Sequence, residues 1–196
     1  MEPNFVLVLD YLKDGYPDEF MSFKKAKPVV LTINTTDFSL IEACLKEDKP
    51  MQSQEKFDIN YKTNDVVERI KRIPYDKLTT TAKTELEFVI ETVVKNDEEK
   101  YIKFYNLAQP MTSRMHVFEL LAGIGKKNMW TIIDERKMNK FESYVDFQNR
   151  VKLDPVAPIV KKIIEEIKGE SKHNLFIPKK EITQERKPNN NFRRRF

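Results

Sequence analysis

The sequence predicts an α+β fold, with a small β-barrel in the first half and an all-α second half. Three observations point that way. Short β-branched and aromatic runs separated by turn residues fill the first part of the chain. Apolar stripes at helical spacing replace them after Leu78. With 40% hydrophobic and 11% aromatic residues in 196, there is enough apolar material for a sizeable core.

Taken in order, residues 5–12 read as the first strand, ended by Asp14-Gly15-Tyr16-Pro17-Asp18. Val29 to Ile33 is a second, closed by the turn Asn34-Thr35-Thr36-Asp37. Strands over 38–45 and 56–61 follow, the latter with Phe57, Ile59 and Tyr61 alternating with polar residues. Val66, Val67, Ile70 and Ile73 fit a helix as well as a strand. Four or five short strands favour a closed or Greek-key barrel, because an open sheet exposes its edges.

Thr79, Thr80 or Thr81 can cap a helix whose stripe is Ala82, Leu86, Val89, Ile90, Val93 and Val94. Asn96 followed by Glu99 resembles a capping box and opens a second helix, which Pro110 stops. A third helix is predicted over 112–121 and a fourth over 126–137. Ser143 caps a short fifth, and Asp154-Pro155 starts a last helix that ends at Gly169. The layout is a barrel domain over 1–77, a helical domain over 78–169 and a tail over 170–196.

The charge is uneven. From Glu170 onward eight cations face three anions, so the tail carries +5 and the first 169 residues −1, for a net +4. The end, Lys187-Pro-Asn-Asn-Asn-Phe-Arg-Arg-Arg-Phe196, has too little apolar content to pack and reads as disordered. A basic tail on a near-neutral body suits a polyanion, or serves only to solubilise. One cysteine excludes a disulfide framework, and two isolated histidines, His116 and His173, make no zinc site. Cys44 reads as a buried small hydrophobe. No apolar run is long enough to span a membrane, and Phe5 to Leu9 lacks a basic leader, so a soluble, cytoplasmic protein with no membrane partner is expected.

The chemistry concentrates at Gly123-Ile124-Gly125, two of only four glycines, set between predicted helices. Such a turn leaves the first N–H groups of the second helix unpaired, and with the helix dipole they make an anion site. A Cβ at either glycine would intrude on it, while Ile124 would point inward. Lys126 and Lys127 open the second helix against its own dipole, which an anion would offset. The plainer alternative is a turn used only for packing.

Glu119-Leu-Leu-Ala-Gly-Ile-Gly-Lys-Lys-Asn-Met-Trp-Thr-Ile-Ile-Asp-Glu-Arg136 resembles a helix-hairpin-helix motif over about 112–137, with Ala122 where the usual pattern has proline. Phe141 to Val151 resembles the first helix of a second unit over about 141–169. Its hairpin, Val151-Lys-Leu-Asp154, lacks glycine and carries an acid, so that unit is expected to be structural. With Val8-Leu-Asp-Tyr-Leu12, Tyr75-Asp-Lys-Leu-Thr79, Ala82-Lys83 and the block from Phe104 to Arg150, the match extends over roughly 4–177. The chain is thereby similar to an archaeal family of unknown function with predicted nucleic-acid-binding character. The resemblance implies an OB-like barrel followed by an all-α helix-hairpin-helix domain, and no established activity.

The expected function is non-catalytic binding of RNA or DNA with weak sequence preference. The candidate contacts are Gly123, Ile124, Gly125, Lys126 and Lys127, with Arg114 ahead of the turn and the basic cluster Arg69, Lys71 and Arg72 as an extension of the phosphate track. A solvated surface accounts for that cluster equally well, and for Arg114 better than a phosphate contact does. Tyr11, Phe38, Phe57 and Tyr61 could stack on bases but are needed to fill a barrel, and Trp130 falls with Ile133 on a packing face. The alternative function is a protein-interaction module whose helical half docks a protein partner. No Walker loop, nucleophile elbow or metal-ligand cluster is present, so neither an enzyme nor a cofactor is expected. Acidic residues such as Asp10, Asp14 and Asp18 could hold magnesium, but carboxylates at this overall density need no such role.

Overall fold

The computed structural model describes residues 5–16, 27–60 and 64–178. Five antiparallel strands, β1 (Phe5–Leu12), β2 (Val29–Ile33), β3 (Leu40–Leu45), β4 (Lys56–Asp58) and β5 (Val67–Arg72), form one curled sheet in the order β4-β1-β2-β3-β5. Helices α1 (Thr80–Asn96), α2 (Glu98–Leu107), α3 (Lys126–Met138), α4 (Tyr144–Val151) and α5 (Ala157–Lys168) follow. A short hairpin of β6 (Pro110–Thr112) and β7 (Met115–His116) interrupts them. The α+β class is as expected, but the sheet is a half-barrel rather than a closed one: β4 and β5 end the strand order and do not pair with each other.

The reason is visible in β2, whose five residues are all buried. Four of the five are apolar, and the fifth, Thr32, donates its hydroxyl to Ile41 O at 2.9 Å, so the strand is covered on both faces. On one face Val6, Val8, Val30, Ile41, Ala43, Leu45, Phe57 and Val67 pack together with Met51 and Ile59. On the other, Leu9, Val29, Leu31, Ile33 and Leu40 belong to a core that runs on through Ala82, Leu86 and Ile90 of α1 into the remaining helices. Helix packing thus takes the place of closure.

A bulge in β1 between Val8 and Asp10 shifts its register against β2. The Asp10 carboxylate accepts from the Tyr11 N–H at 2.9 Å and from the Thr79 hydroxyl. Thr79 in turn caps α1, its Oγ1 accepting from the Ala82 N–H at 3.0 Å. Asp10 is therefore committed to joining sheet and helix. Asp18 lies outside the described residues, and among those described no group of three or more His, Cys, Asp or Glu side chains could hold a metal ion.

The ambiguous stretch around Ile70 is a strand, paired with β3 from Ile41↔Arg72 to Leu45↔Val67. The strand expected from residue 38 begins at Leu40, because Phe38 finishes the preceding turn at φ +54°. The second helix opens at Asp97 without a side-chain cap, so no Asn96–Glu99 box forms. Ser143 does cap α4, accepting from the Asp146 N–H at 3.1 Å. Asp154 Oδ1 accepts from the Val156 N–H at 2.8 Å ahead of α5, and Gly169, at φ +76°, stops it.

The largest departure is the helix expected over 112–121. Residues there form the β6–β7 hairpin and one 3-10 turn, Val117–Leu120. Thr112 Oγ1 accepts from the N–H groups of Arg114 and Met115, and His116 caps the 3-10 turn reciprocally with Glu119. These local side-chain bonds compete successfully with a helix. Among the described residues no helix is long and apolar enough to cross a membrane.

Candidate functional site

The turn before α3 is built from its glycines. Gly123 sits at φ +85°, the left-handed region that a side chain disfavours, and lets the chain reverse out of the 3-10 turn. Ile124 is buried and donates its N–H to Leu121 O at 3.1 Å, anchoring the turn in the core. Gly125 is the N-cap of α3 at φ −79°, an extended conformation open to any residue, and provides no side-chain cap. The N–H groups of Lys126, Lys127 and Asn128 have no acceptor among the described residues; the first helical bond runs from the Met129 N–H to Gly125 O at 2.9 Å.

The surroundings leave this edge open. A Cβ at Gly123 or at Gly125 would meet nothing within 4 Å, and both glycines, Lys126 and Lys127 are exposed. Asn128 Nδ2 reaches back to Gly123 O at 3.4 Å. The nearby carboxylate of Glu119 is engaged by the His116 N–H at 2.8 Å.

Trp130 is 56% exposed, on the turn that follows the lysines, and does not share the packing of Ile133. The signal was present in the chain: Met129, Ile132 and Ile133 already define the buried face of α3, and position 130 falls about 100° away from Met129. Arg114 lies exposed at the tip of the β6–β7 hairpin, not up a helix from the turn.

The cluster of Arg69, Lys71 and Arg72 is not one surface. On a strand successive side chains alternate faces, and in register Arg69 and Lys71 oppose Cys44 and Glu42 whereas Arg72 opposes Ile41. Arg69 lies 4.0 Å from Glu42 Oε1, and Arg72 is 3.3 Å from Asp37 Oδ2. Two of the three charges are thus partly offset, and Lys71 is the member without an ion pair among the described residues. Of the barrel aromatics, Phe38 and Phe57 are buried. The Tyr11 hydroxyl is bound to Asp48, and burial together with that carboxylate pushes its pKa up to about 12. Tyr61 lies outside the described residues, and Cys44 is buried as expected.

Two anchors were not read from the sequence. Arg150 turns its guanidinium to the end of α3, donating to Glu135 Oε2 at 3.1 Å, Asn139 O at 2.8 Å and Glu135 O, and also pairs within its own helix with Asp146 Oδ2 at 3.1 Å. It also lies 4.6 Å from the Phe141 ring centroid. Buried Glu166 accepts from the N–H groups of Leu175, Phe176 and Ile177 at 2.6, 3.0 and 2.8 Å. The chain therefore stays on the helical body to Pro178 instead of leaving it at Gly169.

A curled antiparallel sheet backed by helices, with an uncapped and solvent-open turn before α3, defines an α+β protein whose distinctive surface is backbone. The chain belongs to the family described as a protein of unknown function, DUF655, whose model matches residues 2–178. It is 38% identical over 175 residues to the uncharacterized protein MJ0038 of Methanocaldococcus jannaschii, covering 89% of this chain and 78% of that protein. The crystal structure of Af1531 from Archaeoglobus fulgidus, a DUF655 family structure, is similar at a TM-score of 0.80 and 40% identity over 89% of this chain and 99% of that one.

Proposed function

We propose that the protein binds nucleic acid, RNA or DNA, without catalysing a reaction on it, by holding phosphates at the turn Gly123-Ile124-Gly125. The curled sheet is read as OB-like. The turn with α3 is read as a helix-hairpin-helix element whose first arm has shortened to one 3-10 turn. The observation that carries this reading is the row of three unpaired amides on Lys126, Lys127 and Asn128, at an exposed helix start with two lysines and no side-chain cap. A phosphate oxygen satisfies such donors and the positive end of the helix dipole together. Contacts of this kind hold a backbone without reading bases, so sequence preference is weak.

Gly125→Asp is the sharpest test, because stability and binding move apart. The position is extended and a Cβ there meets nothing. Aspartate is also a favourable N-cap, so the fold is kept or slightly stabilised. The same carboxylate occupies the amides and repels phosphate. In fluorescence anisotropy with labelled DNA and RNA, single- and double-stranded, the variant is expected to lose at least about tenfold in affinity, as a like charge introduced at close contact with phosphate implies. For the wild type on duplex, log K is expected to fall by roughly 0.9 per neutralised phosphate with log salt, and Lys126→Ala with Lys127→Ala to reduce that slope by nearly two. Binding indifferent to salt and to Gly125→Asp overturns the reading.

A further inference from the structure

Trp130 is the only tryptophan in the chain and leaves more than half of its surface in water. A large aromatic ring is usually worth more buried. Among the described residues the other largely exposed aromatics, Phe88 and Phe5, have plain surroundings. Phe88 shares its stretch of α1 with Glu85, Glu87 and Glu91, which would repel a phosphate chain, and Phe5 lies under Lys56, with Nζ 4.2 Å from the ring centroid. Trp130 differs because exposed Lys126 and Lys127 precede it by four and three residues, on the neighbouring turn of the same helical side. Cα–Cβ bonds in a helix tilt toward its N-terminus, so the Trp130 side chain starts out toward the turn with the unpaired amides.

We infer that Trp130 is a stacking platform for an unpaired base, so that the ligand is a single strand or a single-stranded segment. The inference rests on the phosphate reading of the Gly123–Gly125 turn. One helical turn is about 5.4 Å, a distance that a nucleotide bridges between its phosphate and its own or the neighbouring base. In a duplex both faces of an internal base are already stacked, and only an unpaired base offers one to an indole. The two lysines one turn earlier on the same helical side match the charge of the strand's backbone. Neither contact reads a particular base.

Because Trp130 is alone, its fluorescence reports its environment directly. Full-length protein is titrated with a short oligo-dT strand and with a blunt duplex of the same length, following indole fluorescence and the anisotropy of the labelled nucleic acid. The strand is expected to quench Trp130. Trp130→Ala is expected to weaken strand binding by roughly five- to a hundredfold while changing duplex binding by less than about twofold, and Trp130→Phe to keep most of the strand affinity. Circular dichroism of both variants verifies the fold, which an exposed side chain should not disturb. Strand affinity unchanged in Trp130→Ala, or an equal loss for strand and duplex, overturns the stacking role. If Gly125→Asp still abolishes binding in that case, the phosphate reading stands. A wild type that binds neither ligand overturns both.

Discussion

At φ +85° Gly123 holds a conformation that costs a residue with a side chain about 1 kcal/mol or more, whereas Gly125 at φ −79° bears no such constraint. Two identical letters thus do different work: one makes the reversal, the other leaves room over the amides. His116 shows the same dependence on context. Its Nδ1 accepts from the Phe118 N–H at 3.1 Å, and its buried Nε2 has no partner among the described residues. Burial, then the Arg136 guanidinium, hold its pKa below the usual 6.5, against a smaller opposing pull from Glu119. The unfolded chain therefore takes up a proton first as pH falls. Stability is full above about 6.5 and declines as pH drops from there toward the lowered folded-state pKa. Urea melts of wild type and His116→Asn, which keeps an acceptor for Phe118 but does not titrate, should diverge in their pH dependence between about pH 7 and 5.5. Parallel curves would remove His116 as the source.

Elements are positioned by a few polar side chains that reach across sequence. Arg150 ties α4 to the C-terminal end of α3, and Asn106 exchanges two bonds with the Phe141 backbone, donating to its O at 2.8 Å and accepting from its N–H at 2.9 Å. Glu166 does this for the last described segment. Three backbone N–H groups meet one buried carboxylate there, while the Phe176 ring centroid packs 5.7 Å from Tyr101 and 5.1 Å from Phe104. Glu166→Ala removes three charge-assisted bonds and should lower unfolding free energy by roughly 2–4 kcal/mol. Limited proteolysis should then cut within residues 171–178 of the variant, where the wild type is expected to be protected. Protection unchanged in the variant would mean that the aromatic contacts alone hold the segment.

Across the whole molecule the apolar core does not stop at the boundary near residue 78. Leu9, Leu31 and Ile33 of the sheet share one cluster with Leu86 and Ile90 of α1, Tyr105 of α2, Ile132 of α3 and Ile159 of α5. Residues that lose their partners together unfold together. Calorimetry is therefore expected to record a single transition with matching calorimetric and van't Hoff enthalpies. Two resolved transitions would show that sheet and helices are independently stable units.

Much of this architecture was legible because its causes act over a few residues. The β-branched run Val29–Ile33, the stripe of α1, the caps at Thr79, Ser143 and Gly169, and the glycine pair before Lys126 each carry their instruction within about one or two turns of chain. Other outcomes depended on partners remote in sequence. Val67–Arg72 fits two periodicities and became a strand by pairing with β3. The sheet remained open because α1 covered its second face, and the chain was held to Pro178 by a glutamate on α5. Propensity and capping are properties of a segment and can be read from its letters. Burial and strand pairing are properties of two surfaces meeting, so only the tertiary structure decides them.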